Sequence, residues 1–521
     1  MTQSNDISDL FIIGGGINGC GIARDAAGRG LSVTLAEQGD LAQATSSAST
    51  KLFHGGLRYL EYLEIRLVRE ALKERETLLR AMPHISWPLR FVLPLHPQMR
   101  FDSDTPVSRL LQKIMPWMRG RRPAWLIRLG LFAYDNLGSR TILPGTKRTN
   151  LRTSPVGAAL KPALTRAFEY SDCWVEDARL VSLNARDASQ RGACILTRSK
   201  VLSAEVHDGL WHVTTQQRDG SERIHKARLL INAAGPWVGE TLRAVIRSNS
   251  AETVRLVRGS HIVVRRMYEG DHCYFLQGAD GRIIFAIPYE QDFTLIGTTD
   301  MDHPDPDTAP VCTDEEALYL CEFASQYFKD SIGLDDIVWR YSGVRPLYDD
   351  GARSATAATR DYVLSLEEMS APVLHVFGGK ITTYRKLAQS AVDTIGSRLG
   401  KDAPAWTAGA PLPGGDFPHD TVQAQITALR RAYPFLDARW AQRLIRGYGR
   451  DAFVLLEGAE NLADLGQSFG HSLTEREVRW LMQHEFALEA EDILWRRSKL
   501  GLRFTPAEVG ALEAWIGLHA A

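Results

Sequence analysis

"DLFIIGGGINGCGIARDAAGRGLSVTLAE", Asp9–Glu37, decides the fold. A short apolar run enters three glycines as a buried parallel strand does. The alanine-rich stretch that follows, closed by Gly28 and Gly30, reads as a helix, and "LSVTLAE" as a second strand ending in Glu37. Gly14-x-Gly16-x-x-Gly19 therefore falls at a strand-to-helix turn. Glycines there permit a tight turn and let the backbone approach a pyrophosphate at the positive end of the helix. Glu37 stands where an acidic residue accepts hydrogen bonds from ribose hydroxyls. A βαβ unit with all three features in register predicts a dinucleotide site.

The neighbouring residues favour FAD over a nicotinamide. No second glycine fingerprint in matching context follows, so one dinucleotide is expected. "TSSASTK", Thr45–Lys51, comes directly after the second strand. Its small hydroxyl residues, Thr45, Ser46 and Ser49 among them, suit the phosphates and ribityl chain of a flavin. Lys51 and Leu52 are expected to face FAD, with Lys51 touching a phosphate unless it only caps a helix. "INAAGPWV", Ile231–Val238, reads as a late buried strand whose glycine turn, at Gly235, brings the chain back to the cofactor.

The bulk numbers exclude several classes. A chain of 521 residues with 44% hydrophobic and 24% charged residues is an ordinary globular protein. A net charge of -1 gives no global field for nucleic acid. Six cysteines are scattered without a C-x-x-C or a Cys/His cluster, so neither a metal site nor a disulfide framework is expected. The opening "MTQSNDISDLF" lacks the basic region of a secretory signal, and no apolar run reaches 18 residues. A reduced, cytoplasmic protein is the expectation.

Further along, residues 60–80 carry apolar side chains at helical spacing. "GSHIVV", "RIIFAIPY" and "FTLIGTTD" alternate as antiparallel strands do. Beyond a proline- and glycine-rich joint near residue 400, the rhythm is helical. The expected plan is α/β. A Rossmann-type FAD-binding domain is assembled from 1–95, 165–250 and 340–395, with a basic amphipathic insert at 96–164. A substrate-binding antiparallel sheet spans 251–339, and a helical C-terminal domain spans 400–521.

Several long motifs, in chain order, carry a more specific signal. "DLFIIGGGINGCGIARDAAGRGLSVTLAEQGDLAQATSSASTKLFHGGLRYLE" resembles the opening of FAD-dependent respiratory glycerol-3-phosphate dehydrogenases. So do "FEYSDCWVEDARLV", "INAAGPWV", "RGSHIVV", "IGTTD", "YSGVRPL", "TRDY" and "VFGGKITTYRKLA", and "YPFL" and "LWRRSKLG" extend the likeness into the tail. The resemblance implies a glutathione-reductase-like FAD domain, an antiparallel substrate domain and a helical cap. It also implies FAD contacts at Leu52, Gly379 and Thr382.

Oxidising a secondary alcohol on a phosphorylated chain needs cations for the phosphate, a base for the hydroxyl proton and a hydride acceptor. Arg58 and Tyr59 in "GGLRYLE", Arg345 in "SGVRP", Arg360 in "TRDY" and Lys380 in "FGGKITTY" sit on glycine-, proline- or polar-flanked turns. Arginine suits phosphate because its fork binds two oxygens at once. The resemblance places Arg58, Arg345, Arg360 and Lys380 around the substrate, with Tyr59, His54 and His261 close by. Arg345 is the expected alkoxide stabiliser and an alternative proton partner, and His54 or His261 the candidate base, since neutral imidazole accepts a proton at pH 7. Thr298 in "IGTTD" is a further hydrogen-bonding candidate, though a simple strand-end turn reads equally well.

Residues 105–128, "TPVSRLLQKIMPWMRGRRPAWLIR", carry six Lys/Arg and no acid, with an apolar helical face. That is the pattern of a helix lying in a membrane surface. A respiratory dehydrogenase passing electrons to quinone needs bilayer access, so attachment to the inner face of the cell membrane is expected. An oxidase handing electrons to oxygen, and a flavin-binding scaffold or sensor without turnover, are the alternatives. A homodimer is left open.

Overall fold

The computed structural model describes residues 7–96, 99, 105–114, 123–138, 140–248, 250–349 and 361–519. Strand Ile7–Ile13 runs through the middle of the first sheet. Val33–Ala36 lies parallel to it on one side and Glu222–Asn232 on the other. Cys194–Leu196 and Pro372–Gly378 extend the parallel set, and Tyr362–Glu368 closes one edge antiparallel. Leu10, Phe11 and Ile12 are fully buried, as a two-sided parallel sheet requires. Helices Ile17–Gly28, Asp177–Gln190 and Tyr384–Gly396 pack together against this sheet.

The register of this sheet builds the site. Ile13 pairs with Ala36 and with Asn232, so the next residues, Gly14, Glu37 and Ala233, emerge side by side at its carboxyl edge. In an open α/β sheet, ligands bind at that edge.

A second sheet of ten strands is mostly antiparallel. Val254–Arg265 pairs along its whole length with Ile337–Tyr348, setting Gly259 opposite Gly343 and His261 opposite Tyr341. This sheet also takes in Leu52–Phe53, Ser86–Pro94 and Arg166–Val175. It is thus wider than the 251–339 expected from the sequence, and it borrows strands from segments assigned to the FAD domain. The reason is physical: such ladders join strands far apart in the chain, and side-chain alternation reveals a strand without naming its partner.

The tail is helical, with helices Val422–Ala432, Ala438–Tyr448, Glu475–His484 and Pro506–His519 around their own core of Leu429, Leu444, Leu481 and Leu512. A small hairpin, Ser468–Gly470 with Leu473–Thr474, interrupts the helical rhythm. A charged clasp fastens this domain to the first sheet. Asp40, wholly buried just past Glu37, accepts from Arg496 Nε at 2.6 Å and from Arg497 Nη1 at 2.6 Å. Arg198 Nη1 adds a third cation at 3.2 Å. Burial pushes the Asp40 carboxyl up, but Arg497 and Arg496 outweigh it and hold the group down to about 2.

Candidate active site

A cavity of about 1100 Å³ opens at the carboxyl edge of the first sheet and continues onto the face of the second. Its walls come from all parts of the fold. They include Gly14, Gly16, Glu37, the 44–50 loop, 199–201, Gly235, His261, Arg345 and Gly379, and Trp495, Arg496 and Lys499 from the tail.

The cradle at one end is backbone. Gly14 has φ +110, and a Cβ there would stand 2.5 Å from Ala233 O, so only glycine fits. Gly19 would carry its Cβ 2.0 Å from Gly14 O, which lets the helix press against the turn. Ser46 Oγ accepts from Ile17 N at 3.0 Å, at the open N-terminus of that helix. Glu37 holds the turn, accepting from Gly15 N at 2.6 Å and Gly39 N at 2.8 Å. Burial raises its pKa, and the two amides offset part of that.

The loop 45–52 is pinned to the second sheet. Thr45 Oγ1 donates to Val344 O at 2.5 Å, and the Tyr341 hydroxyl donates to Ser49 O at 2.9 Å. Leu52 lines the cavity; Lys51 does not. The Lys51 ammonium lies fully buried, 2.7 Å from Asp177 Oδ1, while Ser49 Oγ donates to Asp177 Oδ2 at 2.8 Å. Asp177 therefore fixes the loop from below. Its motif was visible in the sequence, but its role was not.

At the other end the wall is made of side chains. Arg345 lies across the second sheet, paired through Nη1 with Asp300 and donating from Nη2 to Thr298 Oγ1 at 3.1 Å. Thr298 thus sits behind Arg345 rather than on the cavity wall. Asp300, the last residue of "IGTTD", is a partner that sequence reasoning missed. His261 is buried, stacks on Tyr341 at 4.8 Å, and pairs through Nε2 with Thr50 Oγ1 at 2.9 Å. Its Nδ1 has no hydrogen-bond partner among the described residues. Burial, aided by Arg345 and Lys51, holds this imidazole well below its usual pKa, so it is neutral.

His54 lines the cavity on the turn before Gly55. Its carbonyl accepts from Lys380 Nζ at 2.5 Å, and its amide donates to Thr382 Oγ1 at 3.3 Å. The Lys380 ammonium also lies over the Tyr59 ring, 5.2 Å from its centre. His54, Tyr59, His261, Arg345 and Lys380 thus share one cavity. Arg58 lies half-buried on the 3-10 turn Leu57–Tyr62, outside that wall. Arg360 falls outside the described residues. Among the described residues no cluster of His, Cys, Asp or Glu is placed to hold a metal.

The residues present fit FAD. A cradle that any Cβ would fill, a helix N-terminus facing the cavity and a half-buried acid just past the second strand suit the adenosine diphosphate half. The unpartnered Nδ1 and the cations lie where the cavity reaches the second sheet. That combination defines a flavin-dependent oxidoreductase.

Comparison with known proteins agrees. Residues 9–385 match the FAD dependent oxidoreductase family, and residues 405–520 the C-terminal domain of alpha-glycerophosphate oxidase. The D-erythritol 1-phosphate dehydrogenase of Brucella abortus (strain 2308) is 48% identical over 97% of each chain. The aerobic glycerol-3-phosphate dehydrogenase of Escherichia coli (strain K12) is 46% identical over 98% of this chain and 97% of its own. The FAD complex of glycerol-3-phosphate dehydrogenase from Bacillus halodurans superposes with a TM-score of 0.72 at 25% identity, covering 99% of this chain and 95% of that one. The chain belongs to the FAD-dependent glycerol-3-phosphate dehydrogenase family, and its cofactor is FAD.

Proposed function

We propose that the protein oxidises sn-glycerol 3-phosphate to dihydroxyacetone phosphate and passes the electrons to a membrane quinone. The observation that carries this reading is one continuous cavity, running from the dinucleotide cradle to Arg345, Lys380, His54 and His261. Bound FAD supplies the hydride acceptor. Lys380 and Arg345 attract the phosphorylated, hydroxylated substrate, and Arg345 stabilises negative charge developing on the C2 oxygen. Asp300 pairs with the guanidinium and fixes its position as it does so. The acceptor of the C2 hydroxyl proton is an imidazole, His54 or the neutral His261. Arg58 and Arg360 are further phosphate candidates.

A second reading has its own support, since a D-erythritol 1-phosphate dehydrogenase is 48% identical over the same span. Anaerobic bleaching of the flavin by each polyol phosphate decides between them. Bleaching by neither would leave a flavin scaffold without turnover. Stopped-flow reoxidation by oxygen against a soluble quinone separates oxidase from dehydrogenase.

Membrane attachment through residues 105–128 is part of the proposal. Helix Pro106–Ile114 exposes Leu110 and Ile114 beside Arg109 and Lys113. Helix Ala124–Leu137 exposes Trp125, Leu129 and Phe132. Met115 to Arg122, with Trp117 and three of the arginines, lie outside the described residues. No helix among the described residues is long and apolar enough to cross a membrane. Cosedimentation with anionic liposomes tests the surface contact: changing Leu110 and Leu111 to Asp should lower the bound fraction, and equal partition of the two forms would refute it.

A further inference from the structure

Beneath the His54–Gly55–Gly56 turn lies a buried polar group that the chemistry above does not use. The Tyr134 hydroxyl accepts from Gly55 N at 2.7 Å and donates to the Asp172 carboxylate, with oxygens at 2.9 and 2.8 Å. Arg75 Nη1 completes the ion pair with Asp172 at 2.5 Å and also donates to Ser171 O at 2.9 Å. Tyr134, Asp172 and Arg75 are each 2% exposed or less. Gly55 leaves no room for a side chain, since a Cβ would stand 2.4 Å from Leu72 Cδ2 and 2.7 Å from the Tyr134 oxygen.

The His54 carbonyl and the Gly55 amide are the two ends of a single peptide unit. Lys380 donates to the carbonyl end at 2.5 Å, with Thr382 Oγ1 at 3.3 Å. The amide end donates to Tyr134 at 2.7 Å, whose hydroxyl donates onward to Asp172, and at the longer 3.3 Å to Asp172 Oδ1 directly. Every bond in this relay points the same way, from Lys380 through the peptide to a carboxylate backed by Arg75. Aligned hydrogen bonds in a dry interior polarise and strengthen one another. A peptide gripped at both ends also cannot rotate, so the carbonyl that anchors the Lys380 ammonium stays where it is.

We propose that Tyr134 is a positioning residue for substrate binding, fixing Lys380 and the His54 turn through the His54–Gly55 peptide. The proposal rests on the reading of the substrate as a polyol phosphate. Tyr134→Phe keeps the ring in its packing and removes only the hydroxyl. In the FAD-loaded protein, anaerobic reduction by glycerol 3-phosphate should then need about tenfold more substrate to saturate, the usual weight of one buried hydrogen bond to a charged relay. Reoxidation by a soluble quinone and flavin content should stay at the parent's values. Amide hydrogen exchange in a peptide spanning residues 50–60 should quicken, and this readout needs no substrate. It therefore stands even if neither polyol phosphate reduces the parent protein, the result that would sink the substrate reading alone.

Parent-like exchange together with parent-like saturation would overturn the role of Tyr134. A parallel fall of both half-reactions and of flavin content would overturn it too, by making Tyr134 a packing residue. If Tyr134→Phe does not fold, Asp172→Asn serves. It preserves shape and an acceptor for the Tyr134 hydroxyl but ends the Arg75 ion pair, and it should shift exchange and saturation in the same direction. No shift in either would be equally decisive against the proposal.

Discussion

The two ends of the cavity are built on opposite plans. The cofactor cradle at its centre is backbone, a helix terminus and glycines of residues 14–19 set against Ala233. The other end, proposed for the substrate, is side chains: His54 and Lys380 from turns, His261 and Arg345 from facing strands of the second sheet. A backbone cradle tolerates change wherever no Cβ intrudes, and fails outright where one does. A side-chain wall degrades by steps, because each group adds its own share. Both ends lean on buried ion pairs: Asp40 with its arginines at the first, of which Arg496 reaches the wall, and Asp172 with Arg75 under the second.

The largest expected effect is on the cradle. Gly14→Val places a branched side chain where a single Cβ already meets Ala233 O at 2.5 Å. The left-handed backbone costs a further ~1–3 kcal/mol. The purified variant should be colourless, and a visible spectrum with parent-like flavin would show that the cradle is not where the dinucleotide binds.

Next comes the clasp. Asp40→Asn strands buried arginines, at a cost of ~3–5 kcal/mol, which calorimetry should record as a marked fall in Tm. The native carboxyl sits below its unfolded pKa, so its stabilisation is complete above about pH 4. It fades as pH falls toward the native value of about 2. Acid unfolding of the parent should therefore show a component that the variant lacks; superimposable curves would remove Asp40 from the account.

At the substrate end, Arg345→Gln should keep its flavin and lose rate. Removing one oriented cation from developing alkoxide charge costs on the order of 10²–10³-fold, read as the limiting rate of flavin reduction. Parent-like reduction would assign Arg345 to Asp300 and the sheet alone. The smallest effect concerns pH. The His261 pKa is already held well below its usual value, so its charge does not change between about pH 6 and 8. Parent and His261→Gln should give reduction profiles of the same shape over that range, whatever their heights. A limb present in the parent and absent from the variant would show that His261 titrates there.

The same contrast explains what the sequence could reveal. The glycine turn, Glu37 and the hydroxyl loop were legible because one βαβ unit and the loop that follows it contain them all. Arg345, Lys380, His54 and His261 could be named from turns and from a family likeness. Their partners could not, since Asp300, Tyr134 and Asp172 gain meaning only when distant strands and helices meet. Lys51 shows the limit most plainly. A lysine after a serine run reads as a phosphate ligand, yet the fold buries its charge against Asp177, which no local pattern records.

The Asp40 clasp also sets an order of events in the making of the protein. The cradle is synthesised early, and the arginine that seals it from outside follows 456 residues later. At a synthesis rate of 5–20 residues per second, that is a delay of roughly 20–90 s. Throughout it the cavity lacks the wall later provided by Trp495, Arg496 and Lys499. A chain that ends upstream of Arg496 lacks both the clasp on Asp40 and that side of the cavity wall.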